Sequence, residues 1–450
     1  MALIDTFLNI ADGWRDVFSQ DRVYRRVARQ AIASLCSYGP STVSQSICLT
    51  GRDKKDWTAE YRIHSKRFWD ESDIFEPVLQ TGLELIKGGV IAVGYDDTRV
   101  KKTGRKIASA RWHYDPLSPP FRANLVWGLR FLQASLLMPN YRTDASAPPR
   151  GIPVRFTEVP HVKKPGKLAS QQERAKYRVE SKIHNLSQSF IKSAVELRKT
   201  IDEYGYINKH LLLVGDGSFC NQTCFRAVIE RSSLIARTRK DAKLCFRDES
   251  PNKQRLYAKE KFTPEEIRLD EAIPWQQARI YHGGRFRTIR YKVVNRVLWQ
   301  RGCKTRSLKL FIVAPTAYRT TKKGKKYYRK PAYLLSTSLE LEDSIQLQSY
   351  FDRWQIEVNF RDQKQVAGLG QAQVRNPESV KRQPAFIAAS YSILLLASHI
   401  TFGTKRGPEY TALPKWRRNA KRPSCLDIVN RLRLEFASRD DIKHWLEAPF

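Results

Sequence analysis

Two short, continuous runs of apolar residues, each followed directly by aspartate, place the strongest constraint on how this chain folds. Residues 88–95 lead into Asp96 and Asp97, and residues 210–215 lead into Asp216. Continuous apolar runs of this length are typical of strands buried on both faces, which helices cover on both sides. The sequence thus predicts an α/β core in which two strands end in aspartates at one edge of a sheet.

The surplus of basic residues indicates a polyanionic partner. The chain has 80 Lys and Arg against 45 Asp and Glu, a formal net charge of +35 over 450 residues. Charge of this size supplies sequence-independent affinity for nucleic acid, because phosphate neutralisation releases counterions. Composition leaves open a ribosome-associated protein, an RNA-processing factor or a merely soluble basic surface. The 41% hydrophobic fraction argues for a folded chain, since disordered chains lack the apolar surface that offsets ordering entropy.

Neither a membrane segment nor an export signal is expected. No window approaches 18 uninterrupted apolar residues, and the first residues do not join a basic stretch to an apolar run. The seven cysteines are scattered and contain no Cys-x-x-Cys pair, which is typical of a reduced intracellular protein without structural zinc. These features predict a cytoplasmic location.

A helix predicted over residues 340–366 carries a polar stripe. Tyr350, Arg353, Glu357 and Lys364 follow one another at helical spacing and fall within a stripe about 60° wide. Apolar residues occupy much of the remaining surface, so the helix is expected to be at least partly buried. We interpret the stripe as facing a functional site; a solvated, salt-bridged helix face is the alternative.

The aspartates at the strand ends suit metal binding better than direct acid–base chemistry. In a basic chain that binds polyphosphate, paired carboxylates such as Asp96 and Asp216 are the hard oxygen ligands that Mg²⁺ prefers. Two such ions about 4 Å apart activate the attacking oxygen and stabilise the leaving oxygen in phosphoryl transfer. The alternative for each aspartate is an ordinary turn residue, the more frequent role of a single strand-end aspartate.

Taken in order, these motifs resemble those of bacterial insertion-sequence DDE transposases of the insertion-sequence-four superfamily. The polar stripe matches their YREK signature without a gap, and Asp96 and Asp216 resemble their first and second acidic motifs. The resemblance covers about residues 88–400. It implies a ribonuclease-H-like core in which Asp96, Asp216 and Glu357 form the catalytic triad. The same three residues would hold two Mg²⁺ ions, for which Mn²⁺ can substitute.

The resemblance implies a cut-and-paste DNA transposase. Such an enzyme binds terminal inverted repeats on double-stranded DNA, cleaves the transposon ends and joins 3′ hydroxyls to target DNA. It also implies a hairpin intermediate, a homodimer in a synaptic complex and a location at the bacterial nucleoid. Two alternatives stay open: a ribonuclease-H-like, metal-dependent nuclease that does not join strands, and a domesticated transposase that only binds DNA.

The stripe also supplies candidate contacts to DNA. Arg353 and Lys364 are expected to contact phosphates beside the scissile bond, and the Tyr350 hydroxyl is expected to hydrogen-bond to phosphate. All three assignments follow from the resemblance.

Further candidates for DNA binding lie outside the stripe. An aromatic residue at the end of the insertion domain stacks on a displaced base in the family, and Tyr333 stands at the matching place. Ordinary strand core is the alternative for Tyr333. Lys102 and Arg237 belong to basic clusters that follow the two acidic motifs, and solvated surface charge is the alternative for them.

The first acidic motif contains two adjacent aspartates, of which one would be catalytic. Strand alternation sends their side chains to opposite faces of the sheet. The family usually places the catalytic aspartate two residues before a threonine, which favours Asp96 because residue 98 is Thr98. Asp97 stays as the alternative.

Composition and motif order predict five regions. Residues 1–87 are helical and basic, either a small DNA-binding domain or a bundle packed on the rest of the protein. Residues 88–239 and 339–400 form the two parts of the core, and residues 240–338 form a β-rich insertion domain. Residues 401–450 are a basic region that is a candidate for dimerisation or DNA contact.

Overall fold

Helices at both ends of the chain flank a central mixed β-sheet in the computed structural model. The structure describes residues 2–447 apart from 67, 68, 116–118, 120, 122, 250–254, 322, 323, 418 and 419. The helices are α1 (Leu3–Ala11), α2 (Trp14–Val17), α3 (Asp21–Cys36), α4 (Val43–Leu49), α5 (Thr58–Ser65), α6 (Glu76–Leu85), α7 (Gln171–Ile183), α8 (Leu186–Glu203), α9 (Gln222–Arg226), α10 (Pro264–Leu269), α11 (Gln300–Cys303), α12 (Asp343–Asp352), α13 (Trp354–Gln365), α14 (Pro377–Phe402), α15 (Cys425–Ser438) and α16 (Asp440–Glu447). The strands are β1 (Val90–Lys101), β2 (Arg111–Tyr114), β3 (Leu125–Met138), β4 (Arg150–Glu158), β5 (His210–Gly215), β6 (Ser232–Arg237), β7 (Gln276–His282), β8 (Arg285–Leu298), β9 (Ser307–Val313), β10 (Ala317–Arg319), β11 (Lys326–Tyr328) and β12 (Ala332–Ser336).

The main sheet is parallel in the middle and antiparallel on both sides. Its strand order is β2-β3-β1-β5-β6-β12-β9-β8-β7, and β4 pairs with β3 next to β2. The neighbours β1, β5 and β6 run parallel, whereas the flanking pairs are antiparallel. Strands β10 and β11 form a separate hairpin. The two apolar strands of the sequence thus lie side by side in the interior of the sheet.

The two central strands are buried on both faces, as their continuous apolar runs predict. In β5, Leu211 and Leu213 join the large core, whereas Leu212 and Val214 join a second core on the side of α12. Residues of β1 alternate in the same way. Its even-numbered positions, Asp96 among them, therefore lie on the side of the sheet that carries α12.

The basic N-terminal region is a helical bundle packed on the rest of the protein. Helices α1, α3, α5 and α6 contact α14, and the Ile4 backbone amide donates to Glu435 Oε2 of α15 at 2.9 Å. The Trp14 indole is buried and donates to the Ile74 carbonyl at 2.9 Å within the bundle. Of the two alternatives for this region, the packed bundle is present, and a DNA contact by it stays a prediction.

Helix α14 combines a length of 26 residues with enough apolar character to cross a membrane, judged by length and composition alone. In its most apolar window, 78% of the residues are buried inside the protein. A helix that is apolar on all sides is expected either in a membrane or in a protein core. Here α14 packs against β4, α1 and α3.

Two elements near the predicted site differ from the sequence-based expectation. Strand β1 does not end at Asp96, because pairing with β3 carries it on from Asp96 opposite Gln133 to Lys101. The helix predicted over residues 340–366 is divided at Arg353 into α12 and α13. The Ile356 amide donates to the Arg353 carbonyl at 2.9 Å. This three-residue spacing is that of a 3₁₀ turn, which is tighter than an α-helical turn.

The predicted β-rich segment 240–338 contains strands that extend the main sheet. Beyond β6, the order β12-β9-β8-β7 continues the same ladder of hydrogen bonds in antiparallel fashion. This segment is thus β-rich as expected. The division of the chain into separate domains stays a prediction.

Candidate active site

The parallel pairing of β1 with β5 brings the first two predicted acids to the same level of the sheet. The register of the two strands runs up to Gly94 opposite Val214. Two residues further along each strand stand Asp96 and Asp216. Asp216 follows β5 directly, and its Oδ1 accepts from the Ser218 amide at 2.8 Å. This bond orients the Asp216 side chain at the start of a short 3₁₀ turn.

Close packing of α13 on β1 brings the third acid to the same place. A Cβ atom at Gly94 would lie 2.5 Å from Ile356 Cδ1, so the missing side chain of this glycine makes room for the helix. The same helix also packs on β4, where a Cβ atom at Gly151 would lie 2.7 Å from Asn359 Oδ1. Ile356 is fully buried and directly precedes Glu357. The helix therefore delivers Glu357 over the strand that carries Asp96.

The guanidinium of Arg353 joins two of the acids. Its Nη1 donates to Asp96 Oδ2 at 2.9 Å, and its Nη2 lies 3.4 Å from Glu357 Oε1. The Arg353 and Asp96 side chains are only 14% and 18% exposed. The division of the helix at Arg353 therefore places a cation between acids from β1 and α13.

Burial and the nearby charge of Asp216 disfavour the charged forms of Asp96 and Glu357. Burial raises the pKa of Asp96 to about 7, while Arg353 opposes the shift and Asp216 adds to it. The pKa of Glu357 is raised by burial as well, again with Arg353 opposing and Asp216 adding. Asp216 therefore lies close enough to both acids for its charge to influence them. Carboxylates that repel one another form a site that favours a bound cation.

Asp97 lies on the opposite face of the sheet from Asp96. Its two carboxylate oxygens accept from Nε and Nη2 of Arg130 in β3, at 2.7 and 2.8 Å. This bidentate ion pair occupies both oxygens of Asp97. The structure thus brings Asp96, and not its neighbour, next to Glu357.

A cavity of about 530 Å³ opens beside Glu357 and contains other predicted residues. Arg237 and Tyr350 line it, and burial raises the pKa of the Tyr350 phenol. Two further lining residues, His282 and Arg329, are not among the residues that the sequence predicts for the site. His282 ends β7 and Arg329 precedes β12, and they stand 68 and 21 positions before Tyr350, the first residue of the stripe. Only the strand order of the sheet brings them close, so local sequence offered no signal.

A larger cavity of about 1,190 Å³ lies on the far side of Arg237 and contains Tyr333. Tyr333 is 6% exposed in β12, and its hydroxyl donates to Glu265. Burial raises the pKa of this phenol to about 12. The Tyr333 ring is packed in the strand, which agrees with the strand-core alternative, and stacking of this ring on a base stays a prediction. The cavity itself is lined by basic side chains, Arg239, Lys240 and Lys243 among them.

Lys102 does not have the solvent exposure that a DNA contact requires. It is 5% exposed, and its Nζ donates to the Ala372 carbonyl at 2.6 Å. Burial lowers its pKa to about 8. The expected role is corrected accordingly, because Lys102 ties β1 to the segment after α13. Lys364 is exposed, and its Nζ donates to Thr98 Oγ1 at 2.6 Å.

The three acids offer the right donor chemistry for Mg²⁺, although they are not arranged as a finished metal site. Among the residues that the structure describes, no group of three His, Cys, Asp or Glu side chains is close enough to hold a metal ion. Arg353 occupies Asp96 Oδ2, one of the oxygens that a metal would need. The carboxylates fit Mg²⁺ by type, and metal binding would require Arg353 to move.

Comparison with known proteins adds no relative. A scan against models of protein families and a search of curated proteins both found no match to this chain. The geometry of the site therefore carries the functional argument.

Proposed function

We propose that this protein is a cut-and-paste DNA transposase with a ribonuclease-H-like core. The strand arrangement supports this core: an antiparallel meander, β4-β3-β1, continues into the parallel strands β5 and β6. Of the three acids, Asp96 lies in β1, Asp216 directly follows β5, and Glu357 lies on α13. Strands β12, β9, β8 and β7 would then represent the insertion.

The observation that carries the proposal is the convergence of Asp96, Asp216 and Glu357. Asp96 in β1 and Asp216 directly after the adjacent β5 stand at the same level of the sheet, and one arginine contacts both Asp96 and Glu357. These acids are far apart in sequence, since 141 positions separate Asp216 from Glu357. A turn or cap role for each acid does not account for their assembly in one place.

The side chains around the acids fit the binding of a DNA end. Tyr350, Arg237 and Arg329 line the cavity beside Glu357 and would contact phosphates. Arg353 would leave Asp96 for a phosphate oxygen, since a guanidinium pairs with phosphate as well as with carboxylate. Asp96, Asp216 and Glu357 would then hold Mg²⁺. Activation of water, and later of the 3′ hydroxyl, is the chemistry that bound Mg²⁺ supplies.

The proposal includes partners that follow from the resemblance. The enzyme would bind terminal inverted repeats and target DNA as double strands, and it would act as a homodimer in a synaptic complex. A nuclease without strand joining shares the same acids, so strand transfer separates the two functions. A DNA-binding derivative would bind the repeats without cutting them.

The test is cleavage of labelled duplex DNA that contains the sequence flanking the coding region, with MgCl₂ in the buffer. We expect wild-type protein to cut and Glu357→Ala and Asp96→Asn to lose at least about 100-fold in rate, because a ligand of the reacting site is lost. Asp97→Asn is the matched control, since it changes the adjacent acid on the opposite face.

The outcomes separate the candidates. Loss in Asp96→Asn and Glu357→Ala with DNA binding retained supports the acid triad, and joining to a second duplex then supports the transposase. Cleavage without joining favours the nuclease. Equal cutting by wild type and both variants contradicts the triad, whereas tight binding without cutting by any of them favours the DNA-binding derivative.

A further inference from the structure

A third cavity, of about 320 Å³, lies along α13 beyond the acidic site. Its walls are the start of β4, the faces of α13 and α14, and the segment that leads into α15. None of its residues belongs to the stripe that predicts the acidic site.

The cavity is strongly cationic. Five basic side chains line it against one carboxylate, that of Asp362. Asp362 already pairs with Arg361 at 2.8 Å, which leaves a surplus of positive charge. The basic residues are Arg150, Arg361, Arg417, Lys421 and Arg422.

Backbone and amide oxygens hold three of these cations in place. Arg150 Nη2 donates to the Pro423 carbonyl at 3.0 Å, and Lys421 Nζ donates to the Gly284 carbonyl at 3.2 Å. Arg422 Nη1 donates to the Pro149 carbonyl and to Gln355 Oε1, the latter at 3.0 Å. Within the described parts of the chain, none of the three is ion-paired. Each retains N–H donors for another acceptor.

Without a counter-ion, the positive charges in the cavity repel one another, and burial makes the charged form of Arg422 unfavourable. Burial and the like charge of Arg150 lower the pKa of the Arg422 guanidinium to about 9. An anion between these two side chains would relieve the repulsion.

The cavity continues into the one beside the acidic site. Pro148, Gly284 and Gln355 line both. On α13, Glu357 and Arg361 are four residues apart, so their Cβ atoms lie about 6 Å from each other on one helix face. A strand of DNA at Glu357 would therefore pass close to this cavity.

We propose that this cavity binds a phosphate group of the DNA backbone next to the acidic site. The proposal rests on the proposed function for its ligand. Phosphate fits because several guanidinium groups converge, and their forked donors match its oxygens. A free polyphosphate has the same chemistry, and the experiment distinguishes the two sources.

The experiment measures DNA affinity against salt concentration by fluorescence anisotropy for wild type, Arg422→Gln and Lys421→Gln. Loss of one phosphate contact is expected to reduce the slope of log K against log salt by about 1. Lys421 is exposed, so Lys421→Gln tests the site without disturbing the core. Lys199→Gln on α8 is the control, because it removes one exposed, carboxylate-paired cation elsewhere.

A smaller slope in both variants and an unchanged slope in Lys199→Gln support the proposal. Equal slopes in all four proteins overturn it. If wild type binds no DNA, the proposed function fails, and thermal melting with sodium tripolyphosphate then tests the site alone. A melting rise in wild type and Lys199→Gln that is lost in Arg422→Gln keeps the phosphate site but overturns its assignment to DNA. An equal rise, or none, in all of them overturns the site itself.

Discussion

At the scale of single residues, Arg353 connects the two halves of the acidic site. Its guanidinium contacts Asp96 from β1 and Glu357 from α13, and its charge compensates the repulsion that Asp216 exerts on these partly buried carboxylates. A divalent cation would use the same oxygens. Arginine and a bound metal would therefore compete for Asp96, and the release of Arg353 toward a DNA phosphate would couple DNA binding to metal binding.

This competition predicts the behaviour of Arg353→Gln. Without the guanidinium, Mg²⁺ should raise the melting temperature more than it does in wild type, because the Asp96 oxygen is no longer occupied. DNA affinity should fall about 10-fold, since a charged hydrogen bond to phosphate is lost, worth about 1.4 kcal/mol. Melting curves across an MgCl₂ series and anisotropy with a DNA duplex give the two results.

Arg130→Gln provides the comparison for this experiment. It breaks an arginine–aspartate pair on the same sheet, that of Arg130 with Asp97, on the opposite face from the acidic site. Its response to Mg²⁺ should equal that of wild type. An equal response in Arg353→Gln would contradict competition between arginine and metal.

At the scale of elements, the contact between α13 and β1 sets the position of Glu357. Gly94→Ala would place a methyl group against Ile356 Cδ1, at 2.5 Å in the present geometry, and push the helix away. Overpacking of this kind costs about 1–3 kcal/mol of unfolding free energy. Displacement by about 1 Å would reduce cleavage roughly 100-fold. Chemical denaturation and a cleavage assay measure the two effects.

A second glycine serves as the control for this prediction. A Cβ atom at Gly82 of α6 would lie 2.7 Å from Leu136 Cδ1, a similar clash away from α13. Gly82→Ala should lose stability and keep most of its activity. Adding Ile356→Val to Gly94→Ala should restore activity, because it removes the clashing Cδ1 atom. Failure of this rescue would show that Gly94 does not act through helix position.

Helix α12 ends at a buried acid that makes stability depend on pH. Asp352 is 3% exposed, and it accepts from the Tyr141 hydroxyl at 2.6 Å and from Gln348 Nε2 at 2.9 Å. Burial raises its pKa to about 7. The folded protein thus keeps this proton where the unfolded chain, with a pKa near 4, has lost it.

The contribution of Asp352 to the free energy of unfolding is therefore expected to be greatest below about pH 4 and to fall as the pH rises to about 7. Relative to Asp352→Asn, wild type should lose up to about 1.4 kcal/mol of unfolding free energy per pH unit in that window. Urea denaturation between pH 4.5 and 8 measures the difference. Asp241→Asn, at an exposed acid whose pKa is lowered by Arg239, should not reproduce it. Parallel profiles for wild type and Asp352→Asn would refute the prediction.

The elements also show which parts of the site the sequence predicts. Continuous apolar runs reveal β1 and β5 because burial on both faces leaves a local pattern. The helical spacing of the stripe predicts one helix over residues 340–366, and the structure divides that segment at Arg353 into α12 and α13. Asp96 is in fact inside its strand, since pairing with the distant β3 decides where β1 ends. Lys102 is buried and donates to the carbonyl of Ala372, 270 positions away, a contact that no local pattern encodes.

At the scale of the whole molecule, the net charge of +35 predicts binding that is steeply sensitive to salt. A protein that neutralises six or more phosphates should lose at least about 10³-fold in affinity for a non-specific duplex between 50 and 200 mM NaCl. Anisotropy at fixed pH over that range checks it. A loss below tenfold would mean that the basic surface is not used for nucleic acid.

The strand order of the sheet has a consequence for how the protein is made. The Asp96–Arg353 hydrogen bond joins residues 257 positions apart, and most strands of the sheet lie between them in the sequence. At roughly 5–20 residues per second, the ribosome would need about 10–50 s to deliver the second partner after the first. Chains released before α13 would carry Asp96 and Asp216 but lack Glu357, and so would lack the complete set of three acids. Under the proposed function, synthesis itself would act as a checkpoint, because only a chain translated past α13 would hold all three acids needed to cut DNA.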